Sequence, residues 1–351
     1  MATLKDVARL AEVDASTVSR VLRDDPSQVV RPDTRDRIIA AAGSLSYRPN
    51  ALARGLRTRR TDTIGVIIPS LENVGFSDVT HGIQAAAAAA GKLVVVIEAE
   101  ALQAFDAHVV AEAYSRLITD GRVDGLIVAF ATVDDQLVSQ LAERGMPLVL
   151  VNRRTAGIHG SVVVDDERGS DLAVAHLADL GHTRLGYIGI AAKTDTARRR
   201  ERGFRDALAR AGLAVRDTWI AVGAPTIAGG RQATAALLAG SGRDRPSGIF
   251  VASLQGAIGV LAQLRDDGVA VPADMSVIAF NDHELAEHLD PPLTTVRMPN
   301  FRMGEEAVGL LLAAIDGEAG RDKMIDIAPV VIARRSTAPA VTQAPGRDAR
   351  A

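Results

Sequence analysis

The stretch TLKDVARLAEVDASTVSRVL (residues 3–22) has the layout of two short helices separated by a tight turn. Thr3 is placed to cap the first helix, and Asp6, three residues later, completes a capping-box arrangement. Asp14 favours the start of a second helix, which we expect to run from residue 15 to residue 22. Apolar residues at helical spacing give each helix a face for a core: Leu4, Val7, Ala8 and Ala11, then Val18, Val21 and Leu22.

A third helix is predicted downstream, where Pro32 suits the first turn and apolar residues follow, namely Ile38, Ile39, Ala42 and Leu45. Three short helices around one small core predict a helix-turn-helix domain over residues 1–47. The outward face of its second helix is small and polar, with one arginine: Ala15, Ser16, Ser19 and Arg20. Arg20 on such a face suits a forked pair with a guanine in the major groove. The alternative is that these are solvated residues on a small bundle.

The segment NALARGLRTRR (residues 50–60) is basic and is predicted to form a short hinge helix and linker over residues 48–60. A helix over residues 50–57 would place Leu52 and Leu56 on one side, flanked by arginines. It is too short to be helical alone and should order only when it packs against something. A leucine among arginines fits a wedge that enters the minor groove, and the alternative is a flexible charged linker.

Charge is distributed unevenly along the 351 residues. Residues 1–60 hold 12 Lys and Arg against 7 Asp and Glu, a net +5, whereas the rest of the chain holds 28 against 36, a net −8. A basic head on an acidic body is expected when one module meets a polyanion. The absence of cysteine excludes disulfides and thiolate metal sites. With no signal-like or membrane-spanning apolar run, we expect a soluble, cytoplasmic protein without a membrane partner.

The rest of the chain alternates short apolar runs with helical stretches, which indicates an α/β body with parallel sheets buried on both faces. The first series of runs covers residues 64–69, 93–98, 125–130 and 147–152, and the second covers 161–166, 185–190, 248–253 and 275–280. Two such series predict two α/β subdomains.

Sequence motifs for catalysis or for cofactors are missing from this body. The segment HELAEH (residues 283–288) separates its histidines by five positions, which does not place both on one helical face for zinc. Neither a dinucleotide-binding glycine motif after the first strands nor a nucleophile elbow is present. We therefore predict no catalytic residues, no metal and no cofactor.

Three motifs together, TLKDVA with STVSRVL, then SYRPNALARGLR, then TIGVIIPSL, resemble the lactose-repressor (LacI/GalR) family of bacterial transcription regulators. The resemblance runs from residue 3 to about residue 338. It implies that Ala15, Ser16 and Arg20 read bases, that Thr17 and Ser19 hold phosphates, and that Leu56 intercalates. The predicted DNA-binding set is completed by Thr3, Leu4, Asn50, Ala53 and Arg54. One departure is Arg31 before Pro32, where the family usually has a serine as helix cap.

The resemblance also implies a periplasmic-binding-protein-like body in which the chain crosses between subdomains near residues 160, 291 and 325. The N-subdomain would then comprise residues 61–160 and 292–325, and the C-subdomain residues 161–291 and 326–339, followed by a disordered tail over 340–351. An effector would bind in the cleft at the carboxyl ends of the strands. The candidate effector-binding residues are Pro69, Ser70, Phe76, Asn152, Arg198, Arg200, Ser253, Asn281, Asp282 and Asn300.

Two details of this set depend on the resemblance. The run ARRRERGF (residues 197–204) is by itself typical of a solvated helix face, and the family pattern makes Arg200 a ligand contact. Ser253 and Leu254 stand where relatives commonly carry Asn-Asp. Because leucine accepts no hydrogen bond from a sugar hydroxyl, the effector should differ from the commonest sugars, or contact should shift to Gln255 and Asp282.

Three classes of function remain from the sequence: a ligand-controlled DNA-binding regulator, a solute-binding transport component, and an α/β enzyme acting on sugars or nucleotides. A transport component has no use for a helix-turn-helix head, and an enzyme needs catalytic residues. The regulator explains head, hinge and body together. We expect a homodimer, or a tetramer as the alternative, on a palindromic double-stranded DNA operator, with a small-molecule effector that is a sugar or a sugar derivative.

Overall fold

The computed structural model describes residues 2–22, 30–47, 60–99, 112, 116–117, 119–129, 135–242 and 244–340. The chain divides into two compact units, a head (Met1–Thr61) and a body (Asp62–Ala351). The predicted hinge residues Asn50, Ala53, Arg54 and Leu56 lie outside the described residues, as does the tail over residues 341–351.

The described residues of the head form three helices, α1 (Leu4–Ala11), α2 (Ala15–Val21) and α3 (Pro32–Ser44). Their apolar faces form one core around Val7, Val18 and Ile38, which are fully buried. The capping box predicted at the start of α1 is confirmed: the backbone N–H of Asp6 donates to the Thr3 hydroxyl, and the Thr3 backbone N–H donates to the Asp6 carboxylate. Local capping and one small core therefore fix the helix-turn-helix geometry.

Two local expectations for the head, at Asp14 and Ile39, differ from the structure, whereas the missing cap at Arg31 agrees with its departure from the family's serine. Asp14 precedes α2 but makes no side-chain capping hydrogen bond. Ile39 is 51% exposed, because the helical period of α3 turns Ile38, Ala41 and Ala42 into the core and Ile39 away from it. Arg31 at the start of α3 also provides no side-chain cap, although Pro32 stands in the first turn as predicted.

The first sheet of the body has six parallel strands. They are β1 (Thr63–Ile68), β2 (Leu93–Glu98), β3 (Gly125–Val128), β4 (Leu148–Val151), β5 (Ser161–Val163) and β11 (Lys323–Met324). Their order across the sheet is β11-β5-β4-β3-β1-β2. Helices α4 (Ser77–Ala89) and α10 (Asn300–Ile315) cover one face, and α5 (Gln136–Glu143) contributes to a second apolar cluster on the other.

The second sheet also has six strands. They are β6 (Leu185–Ile190), β7 (Ile220–Gly223), β8 (Gly248–Val251), β9 (Ser276–Phe280), β10 (Thr294–Arg297) and β12 (Val330–Ile332). Their order is β12-β10-β9-β8-β6-β7, and only β12 is antiparallel to its neighbour. Helices α6 (Asp166–Asp179) and α7 (Asp195–Arg210) pack on one side, and α8 (Ile227–Ser241) and α9 (Leu254–Asp266) on the other. The predicted two-subdomain α/β body is therefore confirmed.

Strand pairing corrects where the chain crosses between the subdomains. β5 belongs to the first sheet, because Leu150 of β4 pairs with Ser161, so the first crossing follows Val163 and does not lie at residue 160. β10 belongs to the second sheet, because Thr294 pairs with Ile278, so the second crossing follows Arg297 and does not lie at residue 291. A short apolar strand looks the same in either sheet, and only its hydrogen-bonding partner shows its membership. The third crossing, between β11 and β12, lies close to the predicted residue 325.

The C-terminal end of the described chain is anchored. The Ala340 backbone N–H donates to the Leu180 carbonyl at 2.8 Å, so the ordered chain extends at least one residue into the predicted tail. Within the described part of the chain, no helix is long and apolar enough to cross a membrane, and no group of three or more His, Asp or Glu side chains is arranged to hold a metal ion.

Helices α4 and α10 pack at very short range through glycines. A Cβ on Gly82 would lie 2.0 Å from the Phe301 carbonyl oxygen, and one on Gly304 would lie 2.2 Å from the Val79 carbonyl oxygen. Each helix therefore presents a glycine to the backbone of the other, and this contact holds α10 against the first subdomain directly after the second crossing.

Candidate functional sites

The outward face of α2 is the candidate DNA-reading surface of the head. Ser16 and Arg20 are exposed there, while Ala15, Thr17 and Ser19 are partly buried because they also face the other helices. Thr3 and Leu4 lie at the start of α1, where the hydrogen bond from the Thr3 side chain lowers the pKa of Asp6. The structure thus places the predicted head residues on two adjacent helix starts and on one exposed helix face.

A cavity of about 570 Å³ lies between the two subdomains of the body. This volume is typical of pockets for small molecules. Seven of the ten predicted effector residues line it: Pro69, Ser70, Phe76, Asn152, Arg200, Ser253 and Asn281. They come together because they follow the carboxyl ends of strands, or lie on the helices that those strands lead into, and parallel strands in one sheet end at the same edge.

Asn152 and Asn281 occupy equivalent places in the two sheets. Each directly follows the third strand in its sheet order, β4 or β9, and each adopts a left-handed backbone conformation, with φ of 56° and 69°. Asparagine enters this region more readily than other residues that have a Cβ. The backbone therefore turns sharply at both strand ends and leaves the two amide side chains at the cavity.

Three predicted residues lie outside the cavity lining. Arg198 is exposed, and its Nε donates to the Ala192 carbonyl at 2.9 Å. Two residues along α7 correspond to about 200° around the helix, so Arg198 and Arg200 face opposite ways. Asn300 is buried beside the cavity, and its Nδ2 donates to Asn281 Oδ1 at 3.2 Å. Asn300 thus supports a lining residue.

Asp282 is the third residue outside the lining, and its carboxylate is already occupied. It accepts hydrogen bonds from Thr295 Oγ1 at 2.6 Å, from Arg297 Nη2 at 2.6 Å and from Arg334 Nη1 at 2.8 Å. Burial raises the pKa of Asp282, but these hydrogen bonds outweigh it and the net pKa is lowered. Gln255 does line the cavity, so of the two residues expected to compensate for Leu254, only Gln255 is in position.

Arg200 is held rigidly at the cavity wall. Its Nε donates to Asp166 Oδ1 at 2.7 Å and its Nη1 to the Ala252 carbonyl at 2.7 Å, while its guanidinium lies 4.0 Å from the centroid of the Phe280 ring. Arg199 pairs with the other Asp166 oxygen at 2.6 Å. Two arginines of this run in α7, Arg199 and Arg200, are therefore buried, whereas the sequence alone suggests a solvated helix face.

Arg153 is a lining residue that stands at a strand end but is not among the ten predicted effector residues. It follows Asn152 at the end of β4, and its Nη1 donates to the Asn152 carbonyl at 3.0 Å and to Thr196 Oγ1 at 2.5 Å. Thr196 belongs to α7 of the other subdomain, so this contact spans the cleft. The sequence signal for Arg153 is its position directly after Asn152, which is predicted to line the cleft at a strand end.

A second contact across the cleft joins the loops that follow β1 and β8. Gln255 Nε2 donates to the Glu72 carbonyl at 2.6 Å. On the first subdomain, Ser70 Oγ donates to Glu98 Oε1 at 2.8 Å. Ser253 caps α9 by accepting from the Gly256 backbone N–H at 3.2 Å, and Leu254 adds an apolar patch to the lining. The cavity thus combines fixed polar groups with a small apolar wall.

Both the head and the body match known protein families. A family described as bacterial regulatory proteins, lacI family, matches residues 3–50, and a periplasmic binding protein-like domain matches residues 174–337. The HTH-type transcriptional repressor PurR of Photobacterium profundum is 31% identical over 339 residues, which cover 96% of this chain and 98% of the relative. The chain belongs to the lacI family of bacterial regulatory proteins.

Solved structures of lacI-family regulators agree with this assignment. The crystal structure of the lac repressor dimer bound to operator and the anti-inducer ONPF superimposes with a TM-score of 0.81 at 27% identity, over 96% of this chain and 99% of that one. The complex of the transcriptional regulator CelR with cellobiose gives a TM-score of 0.71 at 28% identity, over 96% and 100%. The protein is accordingly a DNA-binding transcriptional regulator, and its relatives are repressors, which are not enzymes.

Proposed function

We propose that the protein is a repressor whose affinity for operator DNA, in the cytoplasm, is set by a sugar or sugar derivative bound between the two subdomains. The observation that carries the proposal is the cavity of about 570 Å³ at the strand ends of both sheets, with Arg200 fixed at its wall. It occurs in the same chain as a helix-turn-helix head. A regulator of this kind needs both a DNA-reading surface and a site that senses a metabolite.

DNA recognition is assigned to the exposed face of α2. Arg20 is placed to form paired hydrogen bonds to a guanine, with Ser16 and Ala15 beside it, and Thr17 and Ser19 are assigned to phosphates. The hinge over residues 48–60 completes the interface in this proposal, with Leu56 as a minor-groove wedge. Two heads paired by the symmetry of a homodimer would read a palindromic operator, and the lac repressor structure, which is described as a dimer bound to operator, supports this arrangement.

Effector control is assigned to the angle between the subdomains. A ligand in the cleft contacts both sides at once, through Ser70 and Asn152 on one and Arg200 and Asn281 on the other. It therefore favours one relative orientation of the subdomains over another. The cellobiose complex of CelR supports a sugar or a sugar derivative as the ligand class.

The test begins with an operator selected from genomic fragments by the full-length protein. Fluorescence anisotropy then compares the affinity for this duplex with that for a scrambled duplex. Arg20→Ala should lower the preference by about 10- to 100-fold, because a bidentate base contact contributes about 1–3 kcal/mol of discrimination. Arg9→Ala is the matched control, because Arg9 is an exposed arginine on α1, and it should keep the preference. If Arg20→Ala kept the preference for the operator over the scrambled duplex, the assignment of α2 as the helix that reads bases would be wrong.

A further inference from the structure

We infer that the effector carries an anionic group, a carboxylate or a phosphoryl group, and that this group pairs with Arg153. The inference rests on the proposed function and narrows the class of ligand that the cleft accepts. Three features support it: the buried and unbalanced charge of Arg153, the dipoles of the surrounding helices, and the distribution of acidic groups around the cavity.

Arg153 is a buried cation without an acidic partner. Its side chain lines the cavity and the residue is buried, with a relative exposure of 8%. Its hydrogen-bond acceptors are the neutral oxygens of Asn152 and Thr196, and its Nε is buried without any partner. Among the residues that the structure describes, no carboxylate lies within ion-pair distance of Arg153. Buried charges are normally paired, so a partner is expected from outside the chain.

The neighbouring carboxylates are already engaged. Asp166 forms an ion pair with Arg199 at 2.6 Å and accepts a hydrogen bond from Arg200 at 2.7 Å, and Asp195 accepts from Arg199 at 2.9 Å. These two arginines and two aspartates are the charges that act most strongly on Arg153, and together with Arg153 they make three positive and two negative charges, a net +1. Burial first, and then the charge of Arg200, lowers the pKa of Arg153 to about 10. Arg153 therefore remains charged at neutral pH.

Helix starts of the second subdomain add positive potential at the cavity wall that Arg153 reaches through Thr196. The residues that precede α7, α8 and α9 are Thr194, Thr226 and Ser253, and all three line the cavity. These helices have 16, 15 and 13 residues, and the N-terminal end of each carries a partial positive charge from the aligned peptide dipoles. Together with Arg153, they favour a negative group at this end of the cleft.

The acidic groups at the cavity do not cancel this charge. Glu72 is exposed, so its charge is screened by water. Asp135 is partly buried and accepts a hydrogen bond from the Val138 backbone N–H at the start of α5. Glu98 lies outside the lining and accepts hydrogen bonds from the Ser70 hydroxyl and from the Leu71 backbone N–H. A neutral sugar would satisfy the Arg153 N–H donors, but it would leave the charge unbalanced, whereas an anionic group satisfies both requirements.

The experiment compares matched ligands on the full-length protein. The panel holds glucose, galactose and ribose together with the corresponding aldonic acids, the uronic acids and the terminal phosphates, and inorganic phosphate as a further arm. Thermal unfolding and calorimetry should show that an acid or a sugar phosphate binds more tightly than its neutral parent. The comparison of acids with phosphates identifies which anionic group the cleft takes. A neutral parent that binds more tightly than its acid and its phosphate would overturn the inference, as would a panel in which no anion binds.

Variants of Arg153 test the pairing itself. Arg153→Gln should reduce the ratio of anionic to neutral affinity by about tenfold or more, because hydrogen bonds to charged groups are the strong class. Arg153→Lys keeps the charge without the planar fork and should retain the anionic preference at reduced affinity, which keeps the test informative if Arg153→Gln does not fold. Arg154→Gln is the matched control. It removes the same charge at the next residue, whose side chain lies outside the cavity lining, so the ratio of anionic to neutral affinity should stay unchanged. A ratio that is equal in Arg153→Gln and the wild type would contradict the pairing.

The same panel separates this inference from the proposed function. If a neutral sugar changes operator affinity and no anion does, the regulator proposal stands and the assignment of an anionic effector fails. If no member of the panel changes operator affinity although an anion binds, the proposed control of DNA binding fails while the cleft chemistry stands.

Discussion

At the residue scale, Asp166 organises the cleft although it does not line it. This fully buried carboxylate joins two consecutive arginines of α7, and it thereby fixes the guanidinium of Arg200 between the Ala252 carbonyl and the Phe280 ring. A ligand that meets Arg200 does not have to order a flexible side chain. The entropy of ordering that side chain is therefore lost on folding, before any ligand binds.

Replacement of Arg200 should therefore affect stability as well as ligand binding. Arg200→Ala leaves Asp166 paired with Arg199 but removes a buried hydrogen bond between charged groups, which contributes about 1.5–3 kcal/mol. We expect a fall of this order in the free energy of unfolding of the body, measured by urea denaturation of the full chain. Arg202→Ala on the same helix removes an exposed arginine that pairs with Glu167, and it should cost less than about 1 kcal/mol. Equal losses in the two variants would show that the Asp166 pair contributes little.

At the element scale, the helices are fixed by their ends and by their closest contacts. Helix α1 has a complete capping box, whereas α3 begins at Arg31 without a side-chain cap. In the body, α4 and α10 approach each other so closely that only glycine fits at two positions. These two cases show where single substitutions should change stability in opposite directions.

Arg31→Ser should stabilise α3. The Arg31 backbone is extended, with φ of −60° and ψ of 144°, so a serine there is positioned to accept a hydrogen bond from a backbone N–H of the first turn. The gain should be about 1 kcal/mol relative to Arg31→Ala, which removes the arginine without adding a cap. Hydrogen exchange of the α3 amides in the full-length chain measures the difference. Equal protection in the two variants would show that the missing cap has no effect on this helix.

Gly304→Ala and Gly309→Ala form a matched pair on α10. A Cβ at position 304 would lie 2.2 Å from the Val79 carbonyl oxygen, so the helices must separate, and overpacking of this kind costs about 1–3 kcal/mol. A Cβ at position 309 meets nothing within 4 Å, and alanine is favoured over glycine by about 1 kcal/mol inside a helix. Denaturant unfolding should show opposite signs for the two variants. Stabilisation by Gly304→Ala would contradict the close approach of α4 and α10.

The sequence located the strands that belong to the two series of apolar runs, including the partly exposed β2, and missed β7, β10, β11 and β12. β1, β3, β4, β8 and β9 are nearly continuous apolar runs with a buried pattern, and the sequence located them. β7 and β12 are apolar but have only four and three residues and are only partly buried, β11 has two residues, and β10 has the mixed composition TTVR. Sheet membership of β5 and β10 required the pairing register, which no local pattern contains.

Part of the candidate site could also be predicted from the sequence. Polar residues directly after apolar strands, such as Ser70, Asn152 and Asn281, do line the cavity. Asp282 has the same kind of position in the sequence, but Thr295, Arg297 and Arg334 occupy its carboxylate, and these partners come from β10 and from the chain beyond β12. Long-range partners of this kind decide which strand-end residues remain available to a ligand.

At the scale of the whole molecule, the body joins two sheets by three crossings and by contacts across the cleft. Gln255 reaches the Glu72 carbonyl, and Arg153 reaches Thr196, so the subdomains are connected directly at the mouth and at the wall of the cavity. A ligand that binds both walls competes with these contacts or adds to them. It thereby shifts the balance between subdomain orientations, as ligand-linked control of a second site requires.

The most direct test of this account is the affinity of the full-length protein for its selected operator, measured by fluorescence anisotropy with and without the tightest-binding ligand of the panel. The account predicts a change of about 5- to 150-fold, which corresponds to a coupling free energy of about 1–3 kcal/mol. The change should be absent for the scrambled duplex. A ligand that binds the cleft at saturation and leaves operator affinity unchanged would contradict the claim that the cleft controls the head.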